Sequence, residues 1–267
     1  MEPIQGNVSI DAQNIMPIIK KWLYSDKDIF IREVVSNGCD AITKLRMVDS
    51  AAAQNCSIHV EVDKAARELR FTDDGIGMTE DEVKTNINQV AFSGAKSFME
   101  EYAKNEDKEN SGIIGHFGLG FYSVFMIADK VTIDTLSFRE GATPVRWESE
   151  DGMAFTMTEG TRTTRGTTIT LHVSEAESEF LEQWRVREVL DRYCSFMSVP
   201  IYLEEIKEEK ADDVEVTGEG SSEVKDGEAA EAKKEEPKPI NDTQPLYTRA
   251  PQDCTDEDYK QFYRKVF

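Results

Sequence analysis

Four groups of residues in this 267-residue chain have types and spacings that chemistry could use. The first is Glu33, Asn37, Asp40 and Lys44, at positions i, i+4, i+7 and i+11, which share one face if residues 28–48 are helical. An acid, a neutral amide and a second acid form an oxygen donor set suited to a hard cation that keeps its waters. A carboxylate one turn away can orient or deprotonate a water. The same spacing also describes an ordinary solvated polar face. The second group is Asp73-Asp74-Gly75-Ile76-Gly77-Met78, directly after a strand-like run that ends at Thr72. It reads either as a surface turn or as a carboxylate at a strand end, with glycine backbone that lets a flat ring approach. Such a carboxylate accepts well from the exocyclic amino group of adenine. The third is Gly112-Ile-Ile-Gly115-His-Phe-Gly118-Leu-Gly120-Phe121, a glycine-rich loop before the apolar, helix-like run Tyr122 to Ala128. Free N–H groups at a helix N-terminus suit phosphate. The order G-x-x-G-x-G is not the dinucleotide pattern, and Phe121 stands where the common phosphate loop needs Lys; a glycine-rich lid unrelated to nucleotide is the alternative. The fourth, weaker group is Asn86 with the candidate hinge Phe92-Ser93-Gly94-Ala95-Lys96, and Arg165-Gly166-Thr167-Thr168 opening a strand. His59 and His172 fall in strands, and no Ser–His–acid trio follows from spacing.

Positioning these groups takes a mixed set of elements. Asp28 to Val48 reads as a helix, with Asp26 or Asp28 available at its start. Residues 57–62, 69–72, 131–136, 144–148, 154–158 and 167–173 alternate or are β-branched, as strands are. Thr79-Glu-Asp-Glu82 has the form of a capping box opening another helix. Glu179 to Met197 reads as a second long amphipathic helix, followed by Pro200 and a short strand at 201–203. A strand-rich middle with few helical crossovers predicts an α+β fold, a mostly antiparallel sheet with helices on one face.

The formal net charge is −21, which argues against a nucleic-acid surface, since such surfaces carry basic stripes. The acid is concentrated: residues 204–236 hold 14 Asp/Glu against 5 Lys and no aromatic side chain. Such a stretch cannot bury enough apolar surface to offset its ordering entropy, and it reads as a self-repelling spacer. The expected organisation is therefore a globular unit over 1–205, an acidic linker over 206–239, and a stub over 240–267 that opens a further domain. In the stub, Thr255-Asp-Glu-Asp258 is placed to cap a helix over 259–267. Four cysteines at 39, 56, 194 and 254 form no C-x-x-C pair, and Met1 to Gln13 lacks the apolar core of a secretion signal. The longest uncharged apolar run, 113–128, is shorter than the roughly 20 residues of a membrane span. A cytoplasmic setting with neither membrane nor nucleic acid as partner is expected.

The order of these motifs resembles the GHKL ATPases. The finer text, Leu23-Tyr-Ser-Asp-Lys-Asp-Ile-Phe-Ile-Arg-Glu33, Ser36-Asn-Gly-Cys-Asp40, Gly75-Ile-Gly-Met-Thr79 and Gly115-His-Phe-Gly-Leu-Gly-Phe-Tyr-Ser123, is similar to the N-terminal domain of the ninety-kilodalton heat-shock chaperones. Trp184-Arg-Val-Arg187 is most like the bacterial form, and Asn241-Asp-Thr-Gln-Pro-Leu-Tyr-Thr-Arg249 looks like the start of the family's middle domain. The resemblance implies a two-layer α/β sandwich holding ATP or ADP and Mg²⁺. It implies Glu33 as the general base for the attacking water and Asn37 as the Mg²⁺ ligand, with Asp40 supporting from behind. It implies Asp73 on the adenine amino group, with Gly77 and Thr167 acting nearby through backbone or water. Met78, Asn86 and Phe121 would line the nucleotide, and Gly115, Gly118 and Gly120 would wrap its phosphates. It further implies client proteins and co-chaperones as partners, a homodimer for the longer protein and a monomer for this chain. A middle-domain arginine beyond Phe267 would stabilise the transferring phosphate, so hydrolysis by this chain should be very slow; a nucleotide-binding switch without catalysis is the alternative. A histidine kinase would need a phosphoacceptor helix that does not precede Asp28. The chain departs from the family text at Phe92, usually Lys, and at Asn88-Gln89, commonly Gly-Thr. Its acidic linker is longer than in bacterial members and characteristic of eukaryotic cytosolic ones.

Overall fold

A computed structural model describes residues 26–89, 98, 112–115, 118–206 and 237–266. The first helix, α1 (Ile29–Val48), buries Phe30, Ile31, Val34, Val35, Cys39, Ile42 and Leu45, the inward stripe of a 3.6-residue period. Asp28 precedes it but does not cap it; its carboxylate accepts from Arg185 at 2.5 Å and lies 3.6 Å from Arg192. Strands β1 (Ile58–Asp63) and β2 (Glu68–Asp73) follow as an antiparallel pair. The short helix α2 (Glu80–Asn86) opens on the expected capping box, with Thr79 and Glu82 each bonding the other's amide. Then come β3 (Ala128–Leu136), β4 (Val145–Ser149), β5 (Thr156–Glu159), β6 (Gly166–Val173), α3 (Gln183–Tyr193) and β7 (Ile201–Glu205).

The strands form one seven-stranded sheet in the order β5-β4-β3-β6-β2-β1-β7, antiparallel except for β7 beside β1. Alternation sorts its two faces. Inward positions such as Val60, Val62, Leu69, Phe71, Val131, Ile133 and Leu171 join α1 in the core, where Phe30 meets Phe71 and Phe180 edge-on at 6.4 and 5.1 Å. Outward positions carry paired charges, Arg70 between Asp63 and Glu68, and Arg146 between Asp134 and Glu148. This is the predicted α+β fold.

Two elements differ from the sequence reading. The long helix predicted over 179–197 is a 3₁₀ helix (Glu175–Leu181) and then α3, separated at Glu182, whose backbone is extended (φ −95°, ψ 119°). The break lets Phe180 and Leu181 enter the core before the Val186, Val189 and Leu190 stripe takes over. The helix-like run 122–128 is a 3₁₀ helix over Gly120–Met126, and Ala128 already opens β3. Phe121 through Phe125 are buried without a polar face, so no amphipathic period guides that segment.

Residues 207–236 of the acidic stretch lie outside the described residues, but both flanks bond at the sheet edge. The Ile206 amide donates to Val62 O, and the Ile240 amide donates to Ile201 O on β7, each at 2.9 Å. Asn241 is 8 % exposed; its Oδ1 accepts from Ile201 N and its Nδ2 donates to Met197 O and Val199 O. The last helix, α4 (Asp256–Val266), starts where Thr255 and Asp258 bond reciprocally. Phe262 of α4 and Tyr247 pack on Phe196, which follows α3, at ring separations of 5.5 and 6.0 Å. Replacing Asn241 by Ala strips partners from three main-chain groups. Urea unfolding should then show a loss of about 2–4 kcal/mol; an unchanged midpoint would mean that 240–242 are not held by this side chain.

Candidate active site

The helical and glycine-rich motifs converge on a single cleft of about 1220 Å³ between α1, α2, the sheet and residues 114, 115 and 118–120. Glu33, Asn37, Asp40 and Lys44 all line it, so the polar stripe of α1 is turned into a cavity rather than onto open surface. Asp40 is 5 % exposed, and its two oxygens accept from Ile114 N and Gly115 N, each at 2.7 Å. A helix carboxylate thereby pins the glycine-rich segment beside Asn37. Gly115 lies in the cleft, but its own N–H is committed to Asp40. Glu33 accepts from Arg32 Nη2 at 2.6 Å, and its other oxygen lies so close to Gly120 that a Cβ there would stand 2.2 Å away. A side chain at 120 would push the Glu33 carboxylate aside. Lys44 Nζ lies 5.6 Å from the Phe98 ring centroid, and burial holds its pKa below the usual lysine value against the pull of Asp40 and Glu82.

The other end of the cleft is built on β2 and β6. Asp73 closes β2 opposite Thr167, and the main-chain amide of Gly75 donates to its carboxylate at 2.8 Å, with the Thr167 amide also facing it. Burial pushes its pKa up to about 7, although both amides and the nearby Arg162 favour the charged form. The turn that follows needs Gly77: φ is +63°, and an added Cβ would stand 1.9 Å from Leu136 O. Met78 donates its amide to Thr135 Oγ1 at 3.0 Å, and Thr135 Oγ1 lies 3.0 Å from Thr167 Oγ1. Met78, Asn86, Gly118, Gly120, Phe121 and Thr167 all line the same cavity. Phe121 does so from the core, 7 % exposed and edge-on to Trp147 at 5.8 Å.

Phe92 to Lys96, His116 and Phe117 lie outside the described residues. Asn88 Oδ1 accepts from Trp147 Nε1 at 2.8 Å, tying the end of α2 to β4. His59 stacks on Tyr202 at 5.0 Å, and His172 sits 3.4 Å from Glu68, both away from the cleft. Sequence reasoning passed over two residues. Thr135 is a hydroxyl at an inward strand position beside Val131 and Ile133, which is a usable signal. Arg162 donates to Asp73 O at 3.2 Å and to Thr168 Oγ1, and nothing in its local sequence marks it.

Residues 30–151 match the family model for histidine kinase-, DNA gyrase B- and HSP90-like ATPases, and residues 179–267 match the Hsp90 protein family. The chain belongs to the Hsp90 family. It is 41 % identical to the chaperone protein HtpG of Porphyromonas gingivalis over 98 % of its own length and 36 % of that protein. Identity is 44 % to HtpG of Bacteroides thetaiotaomicron over the same shares, and 38 % to HtpG of Cupriavidus taiwanensis over 96 % of this chain and 39 % of that protein. The chain thus spans little more than a third of the curated relatives it matches.

Asp73 makes the stability of the unliganded chain depend on pH. Its folded pKa is about 7 and its ordinary value 3.8. Between those values the folded state holds a proton that the unfolded state has released, so stability falls as pH rises from about 4 to about 7. Asp73→Asn removes that titration. Its gain over the parent should be small at pH 4.5 and reach about 2–4 kcal/mol at pH 8 by urea unfolding. An equal effect at both pH values would show that Asp73 does not titrate between them.

Proposed function

We propose that this chain is the ATP-binding and ATP-hydrolysing part of an ATP-dependent molecular chaperone. The observation that carries the reading is one buried acceptor, Asp73, at one end of a cleft whose other end holds Glu33 and Asn37 against a glycine-rich segment. Adenine would lie at the β2–β6 end, its amino group on Asp73, with Gly77, Met78 and Thr167 shaping that end. Asn86 and Phe121 would line the nucleotide further along. The phosphates would run toward Gly118 and Gly120, where absent side chains admit them; Gly115 contributes through its missing Cβ and through the hold of Asp40.

Asn37 lines the cleft with a neutral amide oxygen, one turn of helix from Glu33. A single protein oxygen plus phosphate oxygens and waters is a donor set that fits Mg²⁺. When bound there, Mg²⁺ would supply charge neutralisation on the phosphates. Glu33 would accept the proton of the attacking water. Arg32 pairs with Glu33 at 2.6 Å. The same pair supports a second reading, a nucleotide-binding switch in which Glu33 is only half of an ion pair.

Residues 1–205 would form the ATP-binding domain, 206–239 an acidic linker and 240–267 the opening of the next domain. Client proteins and co-chaperones would be partners of the longer protein, which would act as a homodimer, with this chain by itself a monomer. Among the described residues no helix is long and apolar enough to cross a membrane, and three of the four free cysteines are buried; both accord with a cytoplasmic setting.

Calorimetric titration with Mg·ADP should show binding that Asp73→Asn abolishes while circular dichroism stays unchanged. A parent chain that fails to bind at millimolar nucleotide would refute the reading. In Glu33→Ala, residual hydrolysis should fall by about 10²-fold or more with ADP affinity kept, in line with the loss of a general base. Hydrolysis unaffected by that change would favour the switch. Brisk turnover by the parent chain would count against a site completed by a further domain.

A further inference from the structure

The Thr135 hydroxyl is 1 % exposed and meets three polar atoms: Met78 N at 3.0 Å, Gly166 O at 3.2 Å and Thr167 Oγ1 at 3.0 Å. A hydroxyl offers one proton and two lone pairs. One lone pair takes the Met78 N–H. Gly166 O has no proton to give, so Thr135 must donate to it. The second lone pair is left to receive the proton of Thr167. In the reverse assignment Thr135 would donate to Thr167, and two oxygens would face each other at 3.2 Å with no proton between them. All three contacts are satisfied only when Thr167 is the donor.

That choice sets what the cleft offers. Thr167 lines the cavity, and with its proton turned back to Thr135 it presents lone pairs there. Directly opposite in the β2–β6 register stands Asp73, acceptor-only as a carboxylate. Two neighbouring acceptors match the two hydrogens of an exocyclic amino group, directly or through one water. They leave a carbonyl oxygen in the same place without a donor, and a buried mismatch of this kind is the strong form of discrimination.

We propose that Thr135, which itself touches no ligand, is a positioning residue that restricts this cleft to purine nucleotides with a 6-amino group, by holding the Thr167 hydroxyl as an acceptor. The inference rests on the nucleotide-binding reading and deepens it.

The test is calorimetric titration of the whole chain with Mg·ADP and with Mg·IDP, which has a 6-oxo group in place of the amine, at pH 8. The parent and Thr135→Ser should both prefer ADP to the same degree. In Thr135→Val the Thr167 proton is released to turn toward the ligand, and the ADP-to-IDP affinity ratio should narrow by about tenfold, the scale of one oriented hydrogen bond. Equal losses for both ligands, or an unmoved ratio, would make Thr135 a packing residue and overturn the proposal. If Thr135→Val does not fold, Thr167→Val decides: it removes the acceptor itself, so full discrimination in that variant would overturn the proposal equally. A parent that binds neither nucleotide would remove the underlying reading and this inference together. ADP binding that Asp73→Asn abolishes, with a ratio indifferent to Thr135→Val, would overturn this inference alone.

Discussion

A carboxylate buried at the end of a central strand is the constraint around which this fold is arranged. Asp73 has left bulk water, and isolated burial of its charge is costly enough to lift its pKa to about 7. What keeps the site usable is main chain: the amides of Gly75 and Thr167 point at the carboxyl group, and Arg162 supports the same strand end through the Asp73 carbonyl. Those donors exist only if β2 pairs with β6 in the observed register and the chain turns sharply at Gly75 to Gly77. A register slip of one residue would turn Asp73 to the outer face and bring Thr72 inward.

The second layer is coupled to the first through α1. One side of the helix supplies the apolar stripe that covers the sheet, and the other supplies Glu33, Asn37 and Asp40 to the cleft. Asp40 converts that helix face into a clamp on the glycine-rich segment, since both its oxygens bond amides of residues 114 and 115. The two ends of the cleft are therefore held by the same chemistry, a carboxylate fixed by backbone N–H groups, used once on a strand and once on a helix.

Further ties surround that frame. Asn88 bonds the Trp147 indole, so the end of α2 is fastened to β4 by a side chain. At the opposite sheet edge, Ile206 bonds Val62 just past the C-terminal end of β7, and Ile240 bonds Ile201 at the start of that strand, so the two flanks of the acidic stretch are tied at opposite ends of β7. Asn241 satisfies three main-chain groups, the carbonyls of Met197 and Val199 after α3 and the amide of Ile201 at the start of β7, that would otherwise be buried unpaired.

Periodicity alone was sufficient for α1, the capping box at Thr79, the alternating strands and hence the α+β class, because these depend on local spacing of apolar and polar residues. The i, i+4, i+7 spacing likewise placed Glu33, Asn37 and Asp40 on one face, and the glycine at 77 stood where the backbone has no room for a side chain. Local sequence could not say whether that polar face meets solvent or a cavity, since the answer depends on a sheet and a loop that lie tens of residues away. It misread 122–128 and 179–197 because burial on every side, and a kink that sends Phe180 inward, are tertiary outcomes that carry no period. The direction of the Thr135 and Thr167 protons, the rise in the Asp73 pKa and the place of Arg162 were decided only when β2, β3 and β6 came together. Hydrogen-bond polarity and desolvation belong to groups brought into contact, and no single segment contains them.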